Sequence, residues 1–432
     1  MRKASLAGLI MFFMLLPWGT AWAGPAESSL LALLPPEKAR APALTRGGFA
    51  VMLVAAARIK SEVRDINLPD DVPAGSWYAP ALQALWQEGM IHGYPYGKLR
   101  PDQEITNLEA VILTARVLGL PNEISSPLTE LQPGDIPYGF NQYAFFHRQG
   151  LLPPGGPMAF LTPTAAAGWL AEVFNSDPRA KDLMDKCRQA LARQQGIATR
   201  GEASIKFHSR PGLPVTAEID RLAIKGEVLN EVLLPGQMHQ VAALELEGRK
   251  ALHIEQVASN GNLYRRVAEA PGQIGDWERL SLAPDITLLM RQQQNLGLPA
   301  NIFPYLRYRY LGISKVAGQE VLGISFYSRL HTAGPVTELL PPATLGEGLA
   351  AYLNPPEKLI RSFSYWGLVY VNPRTFLPVR SVINLVMAFA PAYRGQPAPM
   401  AAMELRYRID SYTYQGIKIT LPVPVPPPVK EH

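Results

Sequence analysis

Residues 89–120 read GMIHGYPYGKLRPDQEITNLEAVILTARVLGL, and this stretch decides the fold of the front half. It opens on the turn Gly89-Met90-Ile91-His92-Gly93-Tyr94-Pro95 and passes through Leu99-Arg100-Pro101-Asp102 to Ile105-Thr106. Leu108, Val111, Ile112 and Ala115 then recur at helical spacing. Thr106 and Glu109 make a capping box, in which a hydroxyl and a carboxylate each satisfy a free backbone N–H at the helix start. Gly119 stands where such a helix stops. Upstream, Asp71-Val72-Pro73 and Trp77 lead into another helix, with Leu82, Leu85, Trp86 and Met90 on one face.

The outline recurs on both sides. Leu44-Thr45-Arg46 precedes a helix carrying Phe49, Met52, Leu53 and Ala56, and Leu161-Thr162-Pro163 precedes one carrying Trp169, Leu170, Val173 and Phe174. Pro163 suits a first helical turn, where no N–H is needed. Asp135-Ile136-Pro137 and Gly150-Leu151-Leu152 echo the turns of the middle unit. Thr45, Thr106 and Thr162 lie 61 and 56 residues apart, which is the spacing of a repeat.

This pattern resembles the S-layer homology family over residues 41–178, most closely in the middle unit at 65–120. The resemblance implies an all-α domain in which three motifs pack with pseudo-threefold symmetry. It also implies non-covalent attachment to secondary cell-wall polysaccharide, often a pyruvylated one. A family-like binding loop starts at the threonine cap and uses the arginine after it. An arginine fork and the donors at a helix N-terminus both suit a carboxylate. Here the loop survives in part as Thr45-Arg46-Gly47-Gly48, while Thr106-Asn107-Leu108-Glu109 and Thr162-Pro163-Thr164-Ala165 carry no arginine. Tyr96 stands where the family's turn has an acid. The expected polysaccharide contacts are therefore Thr45, Arg46, Trp77 as a stacking platform, and Thr106, with one full-strength site near Arg46. Thr106 also reads as a plain helix cap, and Trp77 as a wedge between helices.

The first residues read as a secretory signal peptide over 1–23. Arg2 and Lys3 supply positive charge, residues 6–16 an apolar run, and Ala21-Trp22-Ala23 a cleavage site. That run is short of the roughly 20 apolar residues a membrane helix needs, and no later stretch qualifies, so no transmembrane anchor is expected. The single cysteine, Cys187, lies far from the expected cleavage site, so neither an internal disulfide nor a lipid anchor is expected. An exported chain without disulfides suits a bacterial surface, here read as Gram-positive in type. The net charge of +5 is spread along the chain without Lys/Arg clusters among aromatics, which argues against nucleic acid as a partner.

After a polar helical linker at 179–198 the period changes. Leu244 and Leu246 alternate with Glu245 and Glu247, and Leu405, Tyr407 and Ile409 with arginines and Asp410. Asn260-Gly261 signals a hairpin, and Asn372-Pro373 a turn after the aromatic strand at 362–371. Helical insertions are expected at 283–297 and 345–353, and a Pro-rich tail at 423–432. This is an α+β domain over 201–422 with a curved antiparallel sheet, a half-barrel, under covering helices. Asn262-Leu263-Tyr264-Arg265, Gly275-Asp276-Trp277-Glu278, the run from Tyr370 through Asn372-Pro373-Arg374-Thr375 to Val379, and Ile417-Lys418-Ile419-Thr420-Leu421-Pro422 resemble the lipoprotein-carrier fold class. That resemblance implies an apolar cavity able to take a lipid-like ligand; a filled core fits the same pattern.

No nucleophile elbow, zinc-protease motif or phosphate loop occurs, and none of the seven histidines has a metal partner at ligand spacing. The expected function is a non-enzymatic protein without cofactor or metal, exported to the cell wall or surface and held by cell-wall polysaccharide. The alternatives are a surface carrier or sensor of an apolar ligand and an enzyme acting on envelope polysaccharide.

Overall fold

The computed structural model describes residues 25–59, 67–94, 97–120, 134, 136–210, 223–246, 249–259, 261–268, 275–280, 294–296, 298, 300–330, 360–390, 392–393, 396–397 and 400–420. The expected signal peptide, Pro95 and Tyr96, Asn260, the two helical insertions apart from residues 294–296, and the Pro-rich tail lie outside the described residues.

The described front half is helical. Its helices are α1 Glu27–Leu31, α2 Pro36–Ala39, α3 Arg46–Ala57, α4 Ala79–Gln87, α5 Asn107–Val117, α6 Phe140–Arg148 and α7 Pro163–Val173. Three of them begin at a threonine whose hydroxyl accepts from the N–H three residues on: Thr45 from Gly48 at 3.2 Å, Thr106 from Glu109 at 3.3 Å, Thr162 from Ala165 at 3.2 Å. The residues just before these caps close a ring. Leu44 N donates to Leu161 O (2.7 Å), Leu161 N to Ile105 O (3.0 Å), and Ile105 N to Leu44 O (2.9 Å). The three helix starts thus meet at one centre, and their apolar faces form one core around Phe49, Met52, Leu85, Leu108, Phe146 and Leu170.

Among the described residues the back half is built on an open antiparallel sheet of eleven strands, with a separate two-stranded ribbon, Ala392–Tyr393 paired with Gln396–Pro397, before the last of them. Its strands are β1 Gly196–Ser209, β2 Ala223–Leu233, β3 Gln237–Leu246, β4 Arg249–Ser259, β5 Asn262–Ala268, β6 Glu278–Leu280, β7 Arg307–Val316, β8 Gln319–Leu330, β9 Ile360–Val371, β10 Pro378–Phe389 and β11 Met400–Thr413. Their spatial order is β6-β5-β4-β3-β2-β1-β11-β10-β9-β8-β7. Two meanders, one running outward from β1 and one running inward from β7, are sewn together where β1 pairs with the last strand. The first strand starts at Gly196, a few residues before the change of period expected near 201. Gly261, with φ +75°, turns the β4–β5 hairpin. Asn372 turns β9 into β10, its side-chain oxygen accepting from Arg374 N (2.9 Å) and Thr375 N (3.1 Å).

Helix α8, Pro178–Ala192, joins the halves but is no free spacer. Ala180, Leu183, Met184, Cys187 and Leu191 share one face and enter the sheet's core beside Ile197, Val232, Phe303 and Met403. The Cys187 thiol is completely buried, and that burial pushes its pKa up to about 12, so it is an inert packing residue. Asp177 caps the helix at Arg179 N (2.8 Å) and also accepts from Tyr310 N (3.3 Å), covering part of the β7 edge.

The helical half docks on the opposite face of β8 and β9. Alternation along β9 sends Phe363, Tyr365 and Val369 into the sheet's core and Trp366 into the helical core, where Tyr327 of β8 joins it. Polar contacts at this junction reach the ends of helices. Arg329 donates to Arg116 O (2.9 Å) and Val117 O (3.3 Å) at the C-terminus of α5. Arg361 donates to Gln87 O and pairs with Glu88 at 3.0 Å at the end of α4. The Tyr327 hydroxyl donates to Val173 O at 2.7 Å at the end of α7. A cation at a helix C-terminus satisfies orphan carbonyls and complements the dipole.

Candidate functional site

The second threonine-capped helix and the first meet across a pocket of about 210 Å³. Arg46 from the start of α3, the loop residues Ile91, His92, Gly93 and Tyr94, one face of α5, and Tyr138 line it. The α5 residues are Glu109, Ile112, Leu113 and Arg116, spaced so that two helical turns point the same way.

Glu109 is the hub. Its carboxylate accepts from Thr106 N at 3.1 Å, completing the capping box, and from the Tyr94 hydroxyl. It also pairs with Arg46 at 3.0 Å, the two side chains being only 11% and 14% exposed. Arg46 Nε donates to Leu99 O at 3.1 Å. Two guanidinium groups lie over the Tyr94 ring, Arg46 at 4.6 Å and Arg100 at 4.4 Å from its centroid. Burial, then the hydrogen bond to Glu109, push the Tyr94 hydroxyl up to about 12, so it stays a donor at neutral pH. The loop that presents Tyr94 is pinned from below, because Asp71 accepts from Leu99 N (3.1 Å) and Arg100 N (2.6 Å).

Partial burial, and after it the charge of Arg116, hold His92 below the ordinary imidazole range. Burial, then the charge of Arg46, lower Arg116 from its ordinary value, though a guanidinium stays charged at neutral pH. Tyr138 is 48% exposed at the mouth, where burial and the nearby Glu109 carboxylate raise its pKa.

The four residues expected from the sequence divide. Arg46 and Thr106 come together through Glu109. Thr45 caps α3, and Trp77, 37% exposed and edge-on to Tyr78 at 5.5 Å, lies against that first turn beside Gly48. Neither Thr45 nor Trp77 lines the pocket. At the two helix starts beside the pocket the first backbone donors already have acceptors. Arg46 N and Gly47 N donate to Gln103 O and Pro101 O, and Asn107 N and Leu108 N to Ala159 O and Pro157 O. Tyr94, Arg116 and Tyr138 are pocket residues that sequence reasoning missed. The signal for Arg116 was present in the spacing 109, 112, 113, 116, the face that the capping box opens.

Comparison with known proteins agrees on the kind of front half. Residues 70–111 match the family described as S-layer homology domain. Outer membrane protein SlpA of Deinococcus radiodurans is 42% identical over 67 residues, covering 15% of this chain and 6% of that protein. Outer membrane protein SlpA of Thermus thermophilus is 31% identical over 146 residues, covering 31% of this chain and 14% of that protein. The chain thus spans only 6 to 14% of the length of these relatives. Over the back half, the Mycobacterium tuberculosis lipoprotein LppX aligns with 57% of this chain and 100% of its own, at 10% identity and a TM-score of 0.29. That likeness reaches no further than outline. Among the described residues no helix is long and apolar enough to cross a membrane, and no group of three or more His, Cys, Asp or Glu side chains is placed to hold a metal.

Proposed function

We propose that the chain is an exported, non-enzymatic surface protein whose helical half holds it non-covalently to secondary cell-wall polysaccharide while the sheet half is displayed. The helical half is read as an all-α, pseudo-threefold domain of three S-layer homology motifs, supported by the ring of hydrogen bonds that joins Leu44, Ile105 and Leu161. The observation that carries the binding reading is the pocket between the first and second motifs, where an apolar floor, arginines and aromatic rings converge. Such a lining suits a sugar polymer, since rings cover sugar faces and arginine forks read oxyanions. Thr45, Thr106 and Trp77 support it from the helix starts, and Arg46 braces it.

The test is sedimentation of the full mature chain with purified cell walls, before and after acid extraction of the secondary polymer, with Arg46→Ala alongside. The chain should pellet with intact walls, stay in solution with extracted walls, and pellet less when Arg46 is replaced. Equal pelleting with both wall preparations would place the binding on another wall component and end this reading.

A further inference from the structure

Strand β8 presents a comb of polar side chains to the helical half. Ser325, Tyr327 and Arg329 sit two residues apart, so all three point to the same face of the sheet. Each reaches the C-terminal end of a different helix. Ser325 donates to Gln149 Oε1 at 2.8 Å, just past α6. Tyr327 donates to Val173 O at the end of α7, and Arg329 to Arg116 O and Val117 O at the end of α5. Strand β9 adds Arg361, which donates to Gln87 O at the end of α4, and Tyr370, which accepts from Arg148 of α6 at 2.9 Å. Four helices thus end on two adjacent strands. At their other end the ring of Leu44, Ile105 and Leu161 gathers the three threonine-capped starts.

Of these ties, the one to α5 bears on the pocket. Arg116 lines the pocket with its side chain and gives its carbonyl to Arg329. Burial lowers the Arg329 pKa to about 10, so the group stays charged at neutral pH. Among the described residues no carboxylate pairs with it. Its guanidinium meets the two α5 carbonyls and Ser362 Oγ, the latter at 3.1 and 3.3 Å. A slide or turn of α5 would strand that charge away from water, so α5 is held in one register. Glu109, Ile112 and Leu113, the other α5 residues of the pocket wall, ride on the same rod of about 16 Å. Helix α7, held by Tyr327, contributes no residue to that pocket.

We infer that strand β8 is part of the wall-binding machinery: Arg329 is a positioning residue that acts on the pocket through α5, and occupancy of the pocket is felt in turn by β8 and β9. The inference rests on the wall-binding reading and adds that the helical half binds at full strength only with the sheet at its back. Coupling of this kind is reciprocal. If the hold of Arg329 on α5 favours bound polymer, bound polymer favours that hold by the same factor.

The experiment titrates soluble secondary cell-wall polysaccharide into the full chain well below its melting temperature, and follows hydrogen exchange with and without that polymer. Wild type, Arg329→Met, Arg329→Lys, Ser362→Ala and Tyr327→Phe are compared, each melted to record its stability. Arg329→Met should weaken binding about fivefold or more, the usual scale of coupling between sites. Arg329→Lys should restore part of the affinity. Ser362→Ala removes only a group that orients Arg329 and should shift affinity less, in the same direction. Tyr327→Phe should lower the melting temperature with affinity unchanged, because α7 lines no part of the pocket. In wild type, polymer should slow exchange in β8 and β9, neither of which lines the pocket. Arg329→Met binding as tightly as wild type overturns the inference and leaves wall binding standing. So does affinity that falls in step with melting temperature in every variant, Tyr327→Phe included, or polymer that leaves exchange in β8 and β9 untouched. If Arg329→Met does not fold, Ser362→Ala and the wild-type exchange decide in the same way. Should wild type bind no polymer, the wall reading falls and exchange without polymer decides. Quickening in Arg329→Met or Ser362→Ala that reaches the first turn of α5 and residues 91–94 keeps the positioning role, and quickening confined to the last turn of α5 overturns it.

Discussion

Glu109→Ala should cost the folded chain about 3–5 kcal/mol, the loss typical of breaking a largely buried ion pair from one side. Three groups lose their acceptor at once: the Arg46 guanidinium, Thr106 N and the Tyr94 hydroxyl. Arg46→Met alone should cost a comparable amount, and the double substitution clearly less than the two added, because the stranded charge is then gone from both sides. Melting followed by circular dichroism measures all three. Additive losses would mean that the pair is solvated and braces nothing. The same hub has a pH signature. The folded Tyr94 hydroxyl titrates near 12, above its ordinary value of 10.0. A group whose folded pKa is raised contributes stability in full below its unfolded pKa and loses it as pH climbs through the folded one. Tyr94→Phe should therefore remove a part of the stability that wild type keeps at neutral pH and gives up between about pH 10 and 12.

Arg329→Ala should cost about 2–4 kcal/mol and loosen the junction between the halves. The substitution leaves Arg116 O and Val117 O without this donor at the C-terminus of α5 and removes the contacts to Ser362 Oγ at 3.1 and 3.3 Å. The effect should be local before it is global, since one interface of a two-part chain is weakened. Hydrogen exchange at the last turn of α5 and in β9 should quicken, while β1 to β5 stay protected. Gly119 tests the same contact sterically: it sits at φ +69°, and a Cβ there would lie 1.8 Å from Ser364 Oγ. Unchanged exchange at α5 in Arg329→Ala would show that Trp366 and Tyr327 hold the junction alone.

What the sequence disclosed follows from the range of the forces involved. Threonine caps, the capping box at Thr106 and the turn at Asn372 are set by residues within four positions of each other, and each appears where local chemistry puts it. Strand alternation likewise marked the sheet, but it does not say what covers each face. The aromatic run at 362–371 is buried on both sides because the helical half lies on one of them, a fact no local pattern carries. The helical linker turned out to lay its apolar stripe on the sheet, a stripe visible in Ala180, Leu183, Met184, Cys187 and Leu191 once a partner face is supplied. The pocket was the least legible part. Arg46 and Glu109 are 63 residues apart and meet only because the three helix starts converge, so an arginine that looked free for ligand is spoken for at home. Arg116, by contrast, reads in the sequence as one more charge near the end of a helix, and only folding shows that it stands without a counter-ion among the described residues.

The measurement that bears most directly on wall anchoring is a calorimetric titration of soluble secondary polymer, released from the walls of the producing bacterium, into the full mature chain. A saturable exchange with one binding unit per chain, weakened by salt, is expected, because the described pocket between the first two helix starts brings arginines, aromatic rings and an apolar floor together. No heat and no competition with wall sedimentation, from a chain shown to be folded, would contradict anchoring by this domain and leave its three helix starts with a purely structural role.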